Sequence, residues 1–235
     1  MQKMKEKILL SFINKYLLIL FICCAFISSA MAKEPKMPSA DHILNQIEKR
    51  YFKKGFTADF FQISKLKALD INETALGKAV FCYPGKMVWE YLEPQQHKMI
   101  TNGKMLWVYR PDQNQVMLGH AENFFKKGLG GAFLSDISKV RKNYIISLKD
   151  QDKTVYKLLL IPKIKTPEIQ SILIVVLKKN YNIKKIITQN IYEDTIEFEF
   201  RNLKFKTIDD SLFEFKIPEN ASIIQLDNKP SSKMY

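Results

Sequence analysis

The side chains that could do acid–base or metal chemistry are few and scattered along the chain. The three histidines, His42, His97 and His120, have no cysteine or carboxylate near them at the spacing of metal ligands. The carboxylates between residues 193 and 199 form a denser group, but they alternate with apolar residues. Such alternation is typical of the outer face of a strand. Neither pattern predicts a catalytic or metal site.

Cysteine chemistry is restricted to a single position in the part of the chain that we expect to persist. Cys23 and Cys24 lie in an N-terminal leader described below, and only Cys82 remains. One cysteine excludes an internal disulfide and a Cys-x-x-Cys redox site. Cys82 could be a thiol nucleophile, but a single cysteine in an apolar strand is usually a small buried hydrophobic residue. With no phosphate-binding glycine loop and no Gly-x-Ser-x-Gly elbow, we expect no enzyme activity and no cofactor.

The first 32 residues have the pattern of a secretory signal peptide. Lysines at positions 3, 5, 7 and 15 precede an uncharged run over 16–27, and Ala30-Met31-Ala32 supplies an Ala-x-Ala cleavage site. The uncharged run is shorter than the roughly 20 apolar residues of a membrane span, so permanent anchoring fits less well. The pattern predicts export to the periplasm with cleavage near Ala32.

The charge balance is basic, with 37 Lys and Arg against 24 Asp and Glu and a net charge of +13. The lysines are spread over predicted strands and turns, no recognition motif is present, and an exported chain does not meet nucleic acid. We therefore expect no nucleic-acid partner. Attraction to anionic membranes and a plainly solvated lysine surface both stay open.

After a polar lead-in over 33–39, one helix is predicted over 41–54. Its apolar stripe recurs with a period of 3.6 residues, at Ile43, Leu44, Ile47, Tyr51 and Phe52. Either Ser39 or Asp41 could be the N-cap, and Gly55 ends the helix.

The remainder of the domain is predicted to be mainly strands. Pro84-Gly85 and Asn102-Gly103 mark hairpins, the second typical of a two-residue loop. Further strands are predicted at 144–149, 154–161, 169–178, 183–190, 193–201, 203–207 and 212–216. Residues 121–142 contain three glycines and predict short helices with a hinge. The apolar parity of the strand at 195–201 reverses at Leu203, so Arg201-Asn202 is predicted to be a bulge or a turn.

About ten strands with one apolar face need more cover than two modest helices provide, unless the sheet curls around them. We therefore predict a mainly β, α+β fold: an open, unclosed antiparallel β-barrel or half-barrel with helices as a lid over an apolar cavity. A single domain is expected over 40–225, followed by a polar tail over 226–235.

Two strands carry aromatic faces. Met87, Trp89 and Tyr91 share one face of their strand, and Trp107 and Tyr109 share a face of another. We expect both faces to point inward. From periodicity alone, an ordinary core and a lining for an apolar ligand fit equally well.

An ordered series of motifs resembles the outer-membrane lipoprotein carrier family, LolA. The series comprises FTADFFQ at 56–62, Gly77, Tyr83-Pro84, Trp89, Pro94, NGKMLWVY at 102–109, Gln115-Val116 and FEFKIP at 213–218. The resemblance extends over roughly 40–225.

This resemblance implies the same open barrel, and it also implies a function. Such a protein would take acylated lipoproteins from an inner-membrane lipoprotein-releasing transporter, shield their acyl chains, and pass them to an outer-membrane receptor. It would act as a monomer and without a cofactor. The residues implied for the cavity or its rim are Phe60, Met87, Trp89, Tyr91, Trp107 and Tyr109, with Phe133 and Leu134 on the lid.

Tyr83 departs from the family pattern. Family members usually carry an arginine before this proline, which bonds to lid carbonyls and holds the empty cavity closed. A phenol has one donor and no charge, so Tyr83 cannot replace a guanidinium fully, and Lys86 is a candidate substitute. The alternative function therefore stays open: a binding or sensing module of the same fold for another amphiphile, either a glycolipid or a partner protein.

Overall fold

Helix α1 spans Ala40–Tyr51 in the computed structural model, which describes residues 37–126 and 137–226. Ser39 is the N-cap, because its hydroxyl oxygen accepts a hydrogen bond from the N–H of His42 at 3.1 Å. The predicted apolar stripe is confirmed except at its end. The helix stops at Tyr51, three residues before the predicted end, and Phe52 is exposed instead of joining the core.

The strands form one twelve-stranded sheet in the order β12-β6-β5-β4-β3-β2-β1-β11-β10-β9-β8-β7. All neighbours are antiparallel except β12 and β6, which are parallel. Their bounds are β1 Phe56–Leu66, β2 Ile71–Cys82, β3 Lys86–Glu93, β4 His97–Asn102, β5 Met105–Arg110, β6 Gln115–His120, β7 Tyr144–Gln151, β8 Val155–Pro162, β9 Ser171–Leu177, β10 Ile183–Gln189, β11 Thr195–Phe205 and β12 Ser222–Gln225. Because β12 and β7 are the two edges, the sheet over the described residues is open, as predicted.

Two more helices interrupt the strands, α2 at Ala121–Lys126 and α3 at Ser138–Asn143. The predicted glycine hinge between them, with Phe133 and Leu134, lies outside the described residues. None of the helices that the structure describes is both long enough and apolar enough to span a bilayer. The chain divides into two compact units, Met1–Pro38 and Ser39–Tyr235, and the second contains every element named here.

The C-terminal segment differs from the prediction. Residues 212–216 are not a strand. A short 3₁₀ turn occupies Asp210–Phe213, opened by the Asp209 side chain, which accepts a bond from the Ser211 N–H at 3.0 Å. The last strand is instead β12, which the sequence pattern did not indicate. An aspartate cap favours a turn over an extended chain, and here it outweighs the alternation of Phe213 and Phe215.

The inner face of the sheet forms the main core. Alternate residues of β1, β2, β3 and β8 to β11 point to this face, and the apolar stripe of α1 packs against them. The bulge predicted at Arg201-Asn202 is confirmed, because the pairing of β11 with β1 shifts there and Asn202 has a φ of 51°. The extra residue keeps Phe200 and Leu203 on the same side of the strand.

A smaller apolar cluster lies on the outer face of β3 to β6. Ile100, Trp107 and Val116 are its buried members, and Phe215, Ile217 and Ala221 of the C-terminal segment cover them. The hairpin of β4 and β5 also differs from the prediction. Its last cross-strand pair is Thr101 with Leu106, so the connection has four residues instead of two.

Candidate functional site

The centre of the inner face is a group of packed rings that we call the inner aromatic cluster. It consists of Phe56, Phe60, Phe81, Trp89, Tyr91, Phe198 and Phe200. The ring centroids of Phe60 and Trp89 are 4.9 Å apart, and those of Trp89 and Phe198 are also 4.9 Å apart. Edge-to-face contacts of this kind add about 0.5–1.5 kcal/mol each to the burial of the rings. The cluster is therefore a firm part of the core as well as the most aromatic surface of the sheet.

One polar atom inside this cluster has no partner. Among the described residues, the Trp89 Nε1–H is the only buried side-chain donor or acceptor without a hydrogen bond, and Trp89 is 1% exposed. A buried donor that finds no acceptor costs about 1–3 kcal/mol. An acceptor on a bound molecule would remove this cost.

The cluster ends in a small polar group at Tyr91. Its hydroxyl donates to Gln62 Oε1 at 2.7 Å, and the Gln62 amide donates to the Ser64 hydroxyl at 2.8 Å. The His97 ring stacks on Tyr91 with centroids 4.1 Å apart. Burial raises the pKa of Tyr91 and lowers the pKa of His97, so both side chains are neutral near pH 7. This end of the cluster offers hydrogen bonds without charge.

A single arginine fastens α1 to α3. Arg141 donates from Nε to Glu48 Oε1 at 2.8 Å, from one terminal nitrogen to Asp41 Oδ1 at 2.6 Å, and from the other to Asn45 Oδ1 at 2.7 Å and the Asp41 carbonyl at 3.3 Å. We call this set of bonds the Arg141 clasp. Partial burial lowers the pKa of Arg141, but its bonds to Asp41 and Glu48 outweigh that effect and raise it. The guanidinium is therefore always charged.

The clasp could have been found in the sequence. Asp41, Asn45 and Glu48 are spaced i, i+4 and i+7, which places three acceptors on one side of a helix. Their partner lies 93 residues beyond Glu48 on a different helix, and no local pattern identifies it.

Tyr83 and Lys86 make other contacts. The Tyr83 ring lies against Phe52, with centroids 5.8 Å apart, and its hydroxyl has no hydrogen bond to any described residue. Lys86 pairs with Asp210 at 2.8 Å. Within the described chain neither side chain bonds to α1 or α3 through a polar atom. The multidentate contact between helices belongs to Arg141.

The two predicted aromatic faces do not meet. Trp89 pairs with Met99 and Ile100 pairs with Trp107, so Trp107 and Tyr109 lie on the outer face while Trp89 lies on the inner one. The expectation that Trp107 and Tyr109 line the same space as Trp89 is wrong. Their rings pack against Phe215, at 6.4 and 5.5 Å between centroids. Phe60, Met87, Trp89 and Tyr91 do lie together on the inner face.

The remaining chemically active side chains serve structure. The Cys82 thiol donates weakly to the Tyr83 carbonyl at 3.7 Å, and burial raises its pKa, which disfavours a reactive thiolate. The outer carboxylates form ion pairs, Glu193 with Lys67 and Glu197 with Lys185. In the part of the chain that is described, no group of three or more His, Cys, Asp or Glu side chains could hold a metal ion.

Comparisons with known proteins agree with this architecture. The sequence matches the model of the family described as outer membrane lipoprotein carrier protein LolA over residues 53–216. A comparison with curated proteins gives no significant match.

Several solved structures share the fold at low sequence identity. An uncharacterized conserved protein from Thermus thermophilus is 13% identical, with a TM-score of 0.54 over 79% of this chain and 98% of its own. A LolA superfamily protein from Nitrosomonas europaea is 12% identical, with a TM-score of 0.45 over 76% and 98% of the two chains. Pseudomonas aeruginosa MucB, in its complex with MucA, is 12% identical, with a TM-score of 0.40 over 74% and 60%.

The fold and the site define a class of protein: an open antiparallel sheet that curls around a helix and presents an apolar inner face, without a catalytic group among its described residues. Within that class, the chain belongs to the LolA family of outer membrane lipoprotein carrier proteins. Members of this superfamily are carriers or binding modules, and membership implies a periplasmic protein.

Proposed function

We propose that the protein binds the acyl chains of lipoproteins on the inner face of its sheet and carries them from the inner to the outer membrane. The observation that supports this most directly is the inner aromatic cluster, which presents rings to the side covered by α1. Burying apolar chain on such a surface contributes about 25 cal/mol per Å² and needs few polar groups. The partners would be an inner-membrane transporter and an outer-membrane receptor, and the exported chain would begin after Ala32.

Binding requires the cover over the inner face to move. Phe60, Met87 and Trp89 are buried, so an acyl chain reaches them only when the residues above them shift. Helix α1 belongs to that cover, since Ile43, Leu44 and Ile47 pack in the same core. The Arg141 clasp ties α1 to α3, and both helices contact β7 at the edge of the sheet. Releasing the clasp would let the cover move without unfolding the strands.

The unpaired Trp89 Nε1–H favours a ligand that carries carbonyl groups near its apolar chains. Ester-linked and amide-linked acyl groups have such acceptors, whereas a plain hydrocarbon has none. We expect Trp89→Phe to weaken binding of an acylated lipopeptide about five- to tenfold, and to leave binding of a hydrocarbon-like dye within twofold, because one net hydrogen bond contributes about 1 kcal/mol.

The two tryptophans of the chain lie on opposite faces and give a direct test of where the ligand binds. Trp107→Phe leaves Trp89 as the only indole, and Trp89→Phe leaves Trp107. A synthetic lipopeptide with brominated acyl chains should quench Trp89 fluorescence strongly and Trp107 fluorescence weakly. Equal quenching of both, or quenching of Trp107 alone, would contradict binding on the inner face.

The cargo is identified by purifying the protein from envelope extract and analysing what accompanies it by mass spectrometry. Triacylated lipoproteins are the expected finding. A glycolipid or an unacylated partner protein in their place would favour the second function, a binding or sensing module of the same fold.

A further inference from the structure

Five cations gather where α1 ends and β1 begins, a region that we call the basic corner. Its members are Arg50, Lys53, Lys54, Lys204 and Lys206. The guanidinium of Arg50 lies 4.4 Å from the centroid of the Phe205 ring, and Lys54 Nζ lies 5.6 Å from it. Lys206 is joined to the same place by its backbone N–H, which donates to the Gly55 carbonyl at 3.0 Å. Lys204 is one residue away from Phe205, on the outer side of β11.

These cations are not neutralised by the carboxylates around them. None of the five forms an ion pair with a described residue. The carboxylates on the adjoining elements have other partners: Glu48 binds Arg141, Asp59 binds Asn202, Asp209 binds the Ser211 N–H, and Asp210 binds Lys86. The basic corner is therefore a positive surface with its charge free to act outward.

An exposed aromatic ring adjoins this charge. Phe52 follows α1 directly and is 54% exposed, although the helical pattern would have placed it in the core. Lys53 Nζ lies 5.2 Å from the centre of the Phe52 ring, and the ring rests against Tyr83 on its other side. Apolar rings bordered by lysines are typical of protein surfaces that sit at the headgroup level of a bilayer.

We propose that the basic corner docks the protein on an anionic lipid bilayer, with Phe52 at the level of the headgroups. Four of the five cations are lysines, which carry compact, hydrated charges on flexible stems. Such charges suit the diffuse negative field of a bilayer, whereas recognition of individual carboxylates on a protein favours the fixed fork of arginine. Charge complementarity thus selects the bilayer over an acidic protein as the occupant.

Docking in this way has a geometric consequence. The basic corner includes the C-terminal end of α1, so a bilayer bound there lies next to the helix that covers the inner face. This proposal does not depend on which ligand the inner face binds, and it can be tested without one.

The test measures sedimentation of the purified protein with vesicles of phosphatidylglycerol mixed with phosphatidylcholine, and with vesicles of phosphatidylcholine alone. We expect binding only to the anionic vesicles, and its loss on raising the salt concentration. Lys53→Gln with Lys54→Gln should reduce affinity about thirtyfold, since each lysine near an anionic surface contributes about a factor of five. Phe52→Ser should reduce it severalfold while the salt dependence persists.

The matched control is Lys65→Gln with Lys165→Gln, which removes the same charge from the other end of the sheet. Lys65 pairs with Thr195 at the far end of β1, and Lys165 lies two residues from Pro167, whose carbonyl accepts from the N–H of Ile191 between β10 and β11. The control should keep affinity within about threefold of the parent protein. Equal losses in the two double variants would show that net charge alone drives binding, and would overturn the proposal. Absence of binding to anionic vesicles at low salt would also overturn it and leave an acidic protein as the occupant.

Discussion

Replacing Arg141 by glutamine should make the covering helix move more readily and should increase affinity for apolar molecules. Glutamine is nearly as long as arginine, but it has no charge and only two donor hydrogens. It can keep at most one or two of the bonds that Arg141 makes to α1. The strands of the sheet are untouched by this change.

The size of the effect follows from how exposed each partner is. The Asp41 side chain is 77% exposed, so its ion pair with Arg141 contributes only about 0–1 kcal/mol. Glu48 is 27% exposed, and its charge-assisted bond contributes about 1 kcal/mol after solvent screening is allowed for. Together the Arg141 clasp stabilises the closed arrangement by about 1–2 kcal/mol. Losing it raises the fraction of open molecules about five- to thirtyfold.

The assay is a fluorescence titration with an environment-sensitive hydrophobic dye. If the dye binds only the open form, its apparent Kd falls in proportion to the rise in open fraction. Glu48→Gln should lower the Kd more than Asp41→Asn, because the less exposed partner contributes more. Arg201→Gln is the matched control, since Arg201 bonds Glu199 on the outer face and contacts neither helix.

Two outcomes would refute this reasoning. One is an equal change in dye affinity for Arg141→Gln and Arg201→Gln, which would reflect general destabilisation. The other is a gain in dye affinity for Tyr83→Phe with none for Arg141→Gln, which would assign closure to the position where the family usually has arginine. We expect Tyr83→Phe to have no effect, because its hydroxyl bonds to no described residue.

Three other predictions concern stability. Tyr51→Phe should lower the free energy of unfolding by about 1–3 kcal/mol in a denaturant titration, because the buried Ile183 N–H then loses the hydroxyl that accepts it at 2.9 Å; an unchanged midpoint would contradict this. Gly77→Ala should cost about 1–3 kcal/mol or more, because a Cβ there would collide with the Glu90 carbonyl oxygen, and a normal thermal midpoint would show that the strands can shift apart. Asp152 accepts two backbone N–H bonds that lower the pKa of its carboxyl to about 2, so it stabilises the fold above its usual pKa of about 3.9, and this contribution is lost as the pH falls toward 2; an NMR titration midpoint near 3.9 would disprove it.

Local patterns in the sequence predicted most of the elements. The 3.6-residue stripe predicted α1, and alternation placed Met87, Trp89 and Tyr91 on one face of β3, as the structure confirms. The reversal of parity in β11 predicted its bulge. Each of these features depends on residues that are close together in the chain, and for that reason a single sequence contains them.

Relations between distant residues could not be predicted in the same way. Whether Trp89 and Trp107 share a face depends on the number of residues that join β3 to β4, because a change of one residue there exchanges the faces of every later strand. The apolar pattern of β5 is the same in either case. Its outer cluster also needs Phe215, which lies more than a hundred residues later. Arg141 was missed for the same reason, as its partners lie on another helix.

The bulge in β11 has a consequence for how the chain tolerates changes in length. The segment contains one residue more than a regular strand with the same inward side chains would need. Deleting Asn202 would therefore leave Phe200, Leu203 and Phe205 facing inward, whereas a deletion elsewhere in β11 would turn part of the strand inside out. The same deletion would remove the extra twist that a bulge gives to its strand. At this one position the chain can lose a residue and keep its faces, and what it gives up is curvature.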